Sequence, residues 1–357
     1  MSAFTGLDAR RICIIKPSAL GDVVQSLPIL RPLRDRFPAA SISWVVSGGL
    51  AGLLEGHERI DDLILFDRRG GLRGMAVLLR RLREGRFDLA IDLQGLLRTG
   101  LMIRATAAPV RIGLQTAREG SRLACTTVLP GSGRDVPARL RYWRIAEELG
   151  DASHAATADL PLTRTDRDWA AGQLRSLPRP WLAICPGARW ATKRWPVTSF
   201  ATLAARAHAE FGASAVVLGA PDERTLCHDL ETQLRSRLPR KAILNLAGQT
   251  SLRQLAAVLE SAHWAAANDS GPMHLADAVG TPVLGLFTCT SPWLSGPPLD
   301  RHELLSTRLM CAASYHKSCP LAAPRRHACH GELSVDRAWE GFVRLARRSR
   351  SNRRAAA

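Results

Sequence analysis

The chain has 357 residues, 46% of them hydrophobic, with 49 Lys and Arg against 32 Asp and Glu and a formal net charge of +17. That composition excludes a mainly disordered or low-complexity protein, and the length suggests two or three domains. No run approaches the ~20 apolar residues of a spanning helix, and the apolar stretch Ile12 to Ile15 is too short for a secretory signal, so the expected location is cytoplasmic.

The first half reads as strands alternating with helices. RICIIKP is a strand ending at Pro17, and SALGDVVQSLPILRPLRDRF has helical spacing through Val24, Leu27, Leu30 and Leu33. SISWVVS and DDLILFD are strands, GMAVLLRRLREG an amphipathic helix, FDLAIDLQG a strand, 99–107 a helix and VRIGL a strand. Strands this apolar throughout belong to a parallel sheet covered on both faces. The join lies near 152–180. Beyond it PWLAICPGA, ASAVVLGAP, KAILNLAG, HWAAAND and TPVLGLFT are strands. Between them lie helices in PVTSFATLAARAHAEFG, ending at Gly212, in ERTLCHDLETQLRSRL, in SLRQLAAVLESA with Ser251 as N-cap, and in GPMHLADAVG. SVDRAWEGFVRLARR is a last helix, followed by a frayed basic tail. The class is α/β, with two successive doubly wound layers.

Lysines are few (Lys16, Lys193, Lys241, Lys317), so nearly all the positive charge is arginine. Its planar fork suits phosphates and carboxylates; nucleotide composition bias is the alternative source. Only two tyrosines and no zinc-finger or aromatic RNA-binding pattern argue against nucleic acid. The expected partner is a phosphorylated small molecule, a membrane surface, or both. Cys13, Cys125, Cys185, Cys227 and Cys289 lie in or beside apolar runs and read as buried. Cys311, Cys319 and Cys329 share a polar segment with His316, His327 and His330. It is either a loop with unpaired thiols or a site for a thiophilic metal; it lacks a C-x-x-C pair.

Four motifs sit where strands turn into helices, the ends at which open α/β sheets bind ligands. SALGDVVQSLP offers Ser18, Gly21 and Asp22; Asp22 either projects toward a ligand or complements a helix dipole. CPGARWATKRWP offers Thr192 and Lys193, for a diphosphate or as a surface turn packed by Trp195. GAPDER offers Glu223, for ribose hydroxyls or as a helix-end charge. NDSGPMHLADAVGTP offers Asp269, for sugar hydroxyls, and Ser270, Gly271 and Met273 at an anion-binding helix start. His274 is either directed to ligand or packed in the core. Walker A, H-E-x-x-H, G-x-S-x-G and G-x-G-x-x-G signatures are absent from the sequence.

In this order IIKPSALGDVVQSLP, IDLQGLLRTG, PGARWATKRWP, LGAPDE and ANDSGPMHLADAVGTPVLGLF resemble the ADP-heptose:lipopolysaccharide heptosyltransferases of glycosyltransferase family nine, over about residues 11–298. IGLQTARE is most similar to the branch that adds the first heptose, whereas the cysteine segment is similar to C-terminal clusters of other members but lacks their close cysteine pair. The resemblance implies a GT-B fold of two Rossmann-like domains facing a cleft: 1–163 binding acceptor, 164–334 binding nucleotide sugar, then a helix and basic tail over 335–357. It implies inverting transfer of heptose from ADP-heptose to the lipopolysaccharide inner core, with no cofactor and no metal. Asp22 becomes the general base. Lys193, Thr192 and the N–H groups from Ser270 to Met273, Gly271 included, stabilise departing ADP. Glu223 holds ribose, Asp269 holds heptose, and Ser18, Arg98, Arg118 and Arg122 face the acidic acceptor. Peripheral association with an anionic inner membrane is expected, through Arg344, Arg347, Arg348, Arg350, Arg353 and Arg354 above all.

Overall fold

In the computed structural model, residues 4, 6–151 and 158–355 are described, without side chains for 350–355. Residues 152–157, part of the expected join, lie outside the described residues. The chain divides into two compact units, Met1–Pro161 and Leu162–Ala357.

Unit 1 holds six parallel strands: β1 (Arg11–Ile15), β2 (Ser41–Ser47), β3 (Asp62–Phe66), β4 (Leu89–Asp92), β5 (Val110–Leu114) and β6 (Thr127–Leu129), in the order β3-β2-β1-β4-β5-β6. Ile12 pairs with Ile42 on one side and Leu89 on the other. Side chains alternate between faces, and both faces are apolar. Ile12 and Ile14 pack in one core with Ile42, Trp44 and Ile91, whereas Cys13 and Ile15 pack in a second with Val45, Ile64 and Ala90. Thus the uninterrupted apolar run of β1 reports a strand buried twice.

Unit 2 repeats the order. Its strands are β7 (Trp181–Cys185), β8 (Ser214–Val217), β9 (Ile243–Asn245), β10 (Trp264–Asn268), β11 (Val283–Phe287) and β12 (Glu303–Ser306), arranged β12-β11-β10-β7-β8-β9. In each unit the first and fourth strands are neighbours, so strand order reverses between β1 and β4 and between β7 and β10. A crevice forms at the carboxyl ends of strands at such a reversal.

Local signals explain most element ends. Gly212 closes the Val197–Phe211 helix at φ +70°, where a side chain would be strained. The Ser251 hydroxyl accepts from Gln254 N–H at 3.2 Å, capping Leu252–Ser261. The long helix expected after β1 is instead three pieces, Leu20–Ser26, a 3-10 turn Leu27–Ile29 and Leu30–Arg36. Pro28 at the start of the turn has no N–H to continue the ladder. The helix expected over 99–107 runs Leu97–Ala105. The strands β6 and β12 and the helix Ala138–Glu148 add to the expected set.

The C-terminus corrects the expectation of a frayed tail. Val335–Ala355 is one helix, packed as part of unit 2. Phe342 is fully buried, contacting Trp264, Phe211 and Trp339, and burial of one such side chain contributes roughly 1.5–3 kcal/mol. Trp264 Nε1 donates to the Ser349 hydroxyl at 2.8 Å. Arg344 and Arg348 each reach Glu303 at 3.3 Å, and Arg348 also donates to His302 O. Both share the one Glu303 carboxylate of β12, with their side chains 55% and 37% exposed. The side chains of Arg350, Arg353 and Arg354 lie outside the described residues.

Candidate functional site

Each unit gathers its charged groups at its strand reversal. In unit 1, β1 runs into Lys16, Pro17, Ser18 and Ala19 before the Leu20–Ser26 helix. Backbone bonds from Lys16 N–H to Val45 O (3.3 Å) and from Ser47 N–H to Pro17 O (3.1 Å) hold this loop on β2. Asp22 lies in the first helical turn and is half-buried. Its Oδ2 accepts from Ala19 N–H at 3.3 Å and its Oδ1 from the Tyr142 hydroxyl at 2.9 Å. It thus closes the helix start and presents a carboxylate at the carboxyl edge of the sheet.

Below it lies an ion cluster that motif reading leaves unassigned. Lys16 is 2% exposed; its Nζ donates to Leu93 O at 3.1 Å and sits 4.9 Å from the Tyr142 ring centroid. Burial pulls the Lys16 pKa down, while Asp22 and Asp92 pull it back up and Arg141 lowers it further. Asp92, at the end of β4, is 1% exposed and accepts from the N–H groups of Gln94 (2.9 Å) and Gly95 (3.0 Å) and from the Thr99 hydroxyl (2.9 Å). Burial raises its pKa; those bonds and Lys16 oppose the rise. A buried lysine and a buried aspartate are tolerable together because each supplies the other's counter-charge.

The acceptor candidates follow neighbouring strands: Ser18 after β1, half-buried Arg98 at the start of the helix after β4, exposed Arg118 in the loop after β5 and exposed Arg122 in the 3-10 turn Ser121–Ala124. The segments after β4 and β5 interlock. Arg118 N–H donates to Gly95 O at 2.9 Å, and Leu97 N–H to Glu119 Oε2 at 3.1 Å. Gly95 has φ +65°, and a Cβ there would lie 2.7 Å from Ala117 Cα, so glycine is required. Arg118 also lies 3.7 Å from Glu119.

In unit 2, Asn268 organises the reversal. Fully buried at the end of β10, it accepts from Trp195 N–H at 2.9 Å and donates to Pro186 O at 2.7 Å. It thereby staples the loop after β7 in place. Within that loop Lys193 Nζ donates to Asp269 Oδ2 at 2.7 Å and to Asp269 O at 3.3 Å, over the Trp190 ring at 5.0 Å. Asp269 is 5% exposed. The next residue, Ser270, starts the Gly271–Ala278 helix, and its Oγ is buried without a hydrogen-bond partner. The structure thus brings Lys193, Asp269, Ser270 and Gly271 together.

Glu223, after β8, packs against the loop after β7: a Cβ on Gly187 would lie 2.0 Å from Glu223 Oε1. Its Oε2 accepts from Ala220 N–H at 2.9 Å. Three assignments change character. Thr192 is 6% exposed, and its hydroxyl donates to His316 O at 2.8 Å, so it secures the loop. Met273 is fully buried with its N–H bonded to Ser270 O at 3.2 Å, and Pro272 before it has no N–H to offer. His274 is 5% exposed, as buried as Asp269.

The cysteine segment returns to this loop. Tyr315 N–H donates to Cys289 O at 2.9 Å, and the Cys289 thiol to the Thr192 hydroxyl at 3.6 Å. Burial pushes the Cys329 thiol up to about 11, with Cys311 and Cys319 adding to the rise. Among the described residues, no three His, Cys, Asp or Glu side chains are arranged to hold a metal ion.

Residues 75–323 match Glycosyltransferase family 9 (heptosyltransferase). The lipopolysaccharide core heptosyltransferase OpsX of Haemophilus influenzae is 27% identical over 301 residues, covering 81% of this chain and 82% of that protein. Lipopolysaccharide heptosyltransferase 1 of Pseudomonas aeruginosa is 28% identical over 335 residues, 87% of each chain. The crystal structure of a family 9 glycosyl transferase from Veillonella parvula superposes with a TM-score of 0.80 at 24% identity, over 95% of this chain and 98% of that one. The paired 3-2-1-4-5-6 sheets and this match over most of the sequence establish that the chain belongs to glycosyltransferase family 9, the heptosyltransferases, and is a glycosyltransferase of GT-B fold.

Proposed function

We propose that the protein transfers heptose from ADP-heptose to the inner core of lipopolysaccharide, either to Kdo–lipid A or to the first heptose, with inversion at the anomeric carbon. The observation that carries this reading is Asp22, a half-exposed carboxylate at the strand reversal of unit 1, hydrogen-bonded to Tyr142. Names of relatives such as OpsX and heptosyltransferase 1 support heptose as the sugar transferred and lipopolysaccharide as the acceptor class.

In this mechanism Asp22 takes the proton of an acceptor hydroxyl as its oxygen bonds to the anomeric carbon. The bond from that carbon to the diphosphate oxygen breaks, and ADP leaves with the electron pair. Lys193 and the N–H groups at the start of the Gly271–Ala278 helix stabilise the charge on ADP, work that a divalent metal does in other glycosyltransferases. Glu223 is assigned to the ribose and Asp269 to heptose hydroxyls. The reaction requires no cofactor. Arg98, Arg118 and Arg122 attract the acidic acceptor.

No helix among the described residues is long and apolar enough to cross a membrane. Peripheral contact with an anionic leaflet is part of the proposal. It is supported by exposed Leu97, Leu101 and Leu123 beside Arg118 and Arg122.

The test is incubation of the purified chain with ADP-heptose and, in separate reactions, Kdo–lipid A and the same lipid already carrying its first heptose, with the heptosylated lipid read by mass spectrometry and the anomeric configuration by NMR. Transfer to a protein acceptor instead, or no release of ADP with either lipid, overturns the assignment of acceptor.

A further inference from the structure

Lys193 alone is a poor anchor for a diphosphate. Its ammonium is already paired with Asp269 at 2.7 Å, and the Asp269 carboxylate is buried. The pair is close to neutral, whereas a nucleoside diphosphate brings at least two negative charges. The helix start at Ser270 supplies partial charge. A further full positive charge lies nearby, on a segment that the motif reading left without a role.

We propose that Lys317 is a second cation for the donor diphosphate, carried to it by the cysteine- and histidine-rich segment; the inference rests on the donor reading of unit 2. Lys317 Nζ lies 5.8 Å from the Trp190 ring centroid, the same ring that Lys193 approaches at 5.0 Å. Two ammonium groups thus share one indole, whose negative face offsets part of their mutual repulsion.

The placement is built into the chain. His316, the residue before Lys317, accepts from the hydroxyl of Thr192, the residue before Lys193, at 2.8 Å. Tyr315 is tied by its N–H to Cys289 O, and its hydroxyl lies 3.0 Å from the Ser295 Oγ. This bond ties the two lysine-bearing segments together although 124 residues separate Thr192 from His316. Among the described residues no carboxylate lies within ion-pair distance of Lys317, and its side chain is exposed. Its charge is available to an anion on that side of Trp190.

The segment's role in this account is positional: its backbone secures the loop after β7 and delivers a charge. Lys317→Ala is suited to test it, because an exposed side chain can be truncated without disturbing the core. The experiment is titration of the full-length chain with ADP and, separately, with adenosine, in low and high salt. Wild type, Lys317→Ala, Lys317→Arg and Lys193→Ala are compared.

Lys317→Ala is expected to weaken ADP about tenfold and reduce its salt dependence. Adenosine binding should stay unchanged, and Lys317→Arg should retain most of the affinity. If Lys193→Ala weakens ADP but Lys317→Ala does not, the second cation is wrong and the donor site stands. If adenosine weakens as much as ADP in Lys317→Ala, the lysine acts on the fold or the nucleoside, and the inference is equally overturned. If neither lysine affects ADP, the donor assignment itself fails.

Discussion

The hydroxyl of Tyr142 donates to Asp22 Oδ1 at 2.9 Å, and the Tyr142 ring lies over the buried ammonium of Lys16. One side chain from the Ala138–Glu148 helix thus touches both charged groups at the carboxyl end of β1. Burial raises the Tyr142 pKa well above its ordinary value, with Asp22 adding to the rise. Both effects favour the neutral phenol, the form that donates to Asp22. It fixes the rotamer of Asp22 without competing for the proton that Asp22 is proposed to take.

Removing the proposed base separates chemistry from binding. Asp22→Asn keeps the shape and the bond from Ala19 N–H but cannot accept a proton. Turnover is expected to fall about 10²- to 10⁴-fold, the usual share of a general base, with the Kd for ADP unchanged. Turnover within a factor of three of wild type would remove Asp22 from the mechanism.

Tyr142→Phe removes a positioning bond and keeps the ring over Lys16. The expected loss is about tenfold in kcat with little change in KM for either substrate, since misorientation of a base acts on the chemical step. A purely structural role predicts instead a lower Tm with kcat unchanged, so both are measured on one preparation.

The helix that carries Tyr142 was not legible as a site, and the reason is physical. ARLRYWRIAEELG reads as an ordinary amphipathic helix, so nothing local marks Tyr142 as near Asp22, 120 residues away. Lys16 and Asp92 sit in quoted motifs, yet adjacency of β1 and β4 is what makes them partners. Asp22, Lys193 and Asp269 stand out in the sequence because each lies in a segment leading from an apolar strand into the next helix, the end at which open α/β sheets bind ligands. The fold class was legible in the doubly apolar strands. β6 and β12 were missed because strands of three and four residues at a sheet edge leave no periodicity to read.

Asn268 carries a structural prediction for the donor side. Its amide satisfies Trp195 N–H and Pro186 O inside a fully buried position. Asn268→Ala leaves both unpaired, at about 1–3 kcal/mol for each buried group. It should also free the loop that bears Lys193. The expected result is a lower urea midpoint together with weaker ADP binding. Lost stability with unchanged ADP affinity would show that the loop holds its shape without this staple.

A pH dependence follows from Asp166. Burial alone would raise its pKa, but the Thr163 hydroxyl (2.6 Å) and N–H (3.0 Å), aided by Arg253 and Arg167, hold it below the usual carboxylate range. A carboxyl depressed by folding stabilises the native state above its unfolded pKa of about 4, and that stabilisation disappears as pH falls through the lower folded value. Asp166→Asn is therefore expected to cost about 1 kcal/mol near pH 7, the typical worth of a helix cap. The gap should narrow steadily below pH 4. A gap independent of pH would mean that packing, not charge, explains the cost.

Membrane contact is expected through unit 1 rather than through the C-terminal arginines. Arg344 and Arg348 are engaged with Glu303, so the last helix presents less free charge than its composition suggests. By contrast Leu97, Leu101 and Leu123 are 55%, 50% and 92% exposed. Gly100 lets the Leu97–Ala105 helix approach Ser121 so closely that a Cβ would lie 2.9 Å from Ser121 Cα, which brings the three leucines onto adjoining turns. Apolar side chains flanked by arginine suit an anionic bilayer surface, where the two contributions add. Co-sedimentation with phosphatidylglycerol vesicles should weaken about tenfold when all three leucines become serine, whereas deletion of residues 350–357 should have a smaller effect. The ordering discriminates: loss of binding on tail deletion, with the serine variant sedimenting like wild type, would return the contact to the C-terminal arginines.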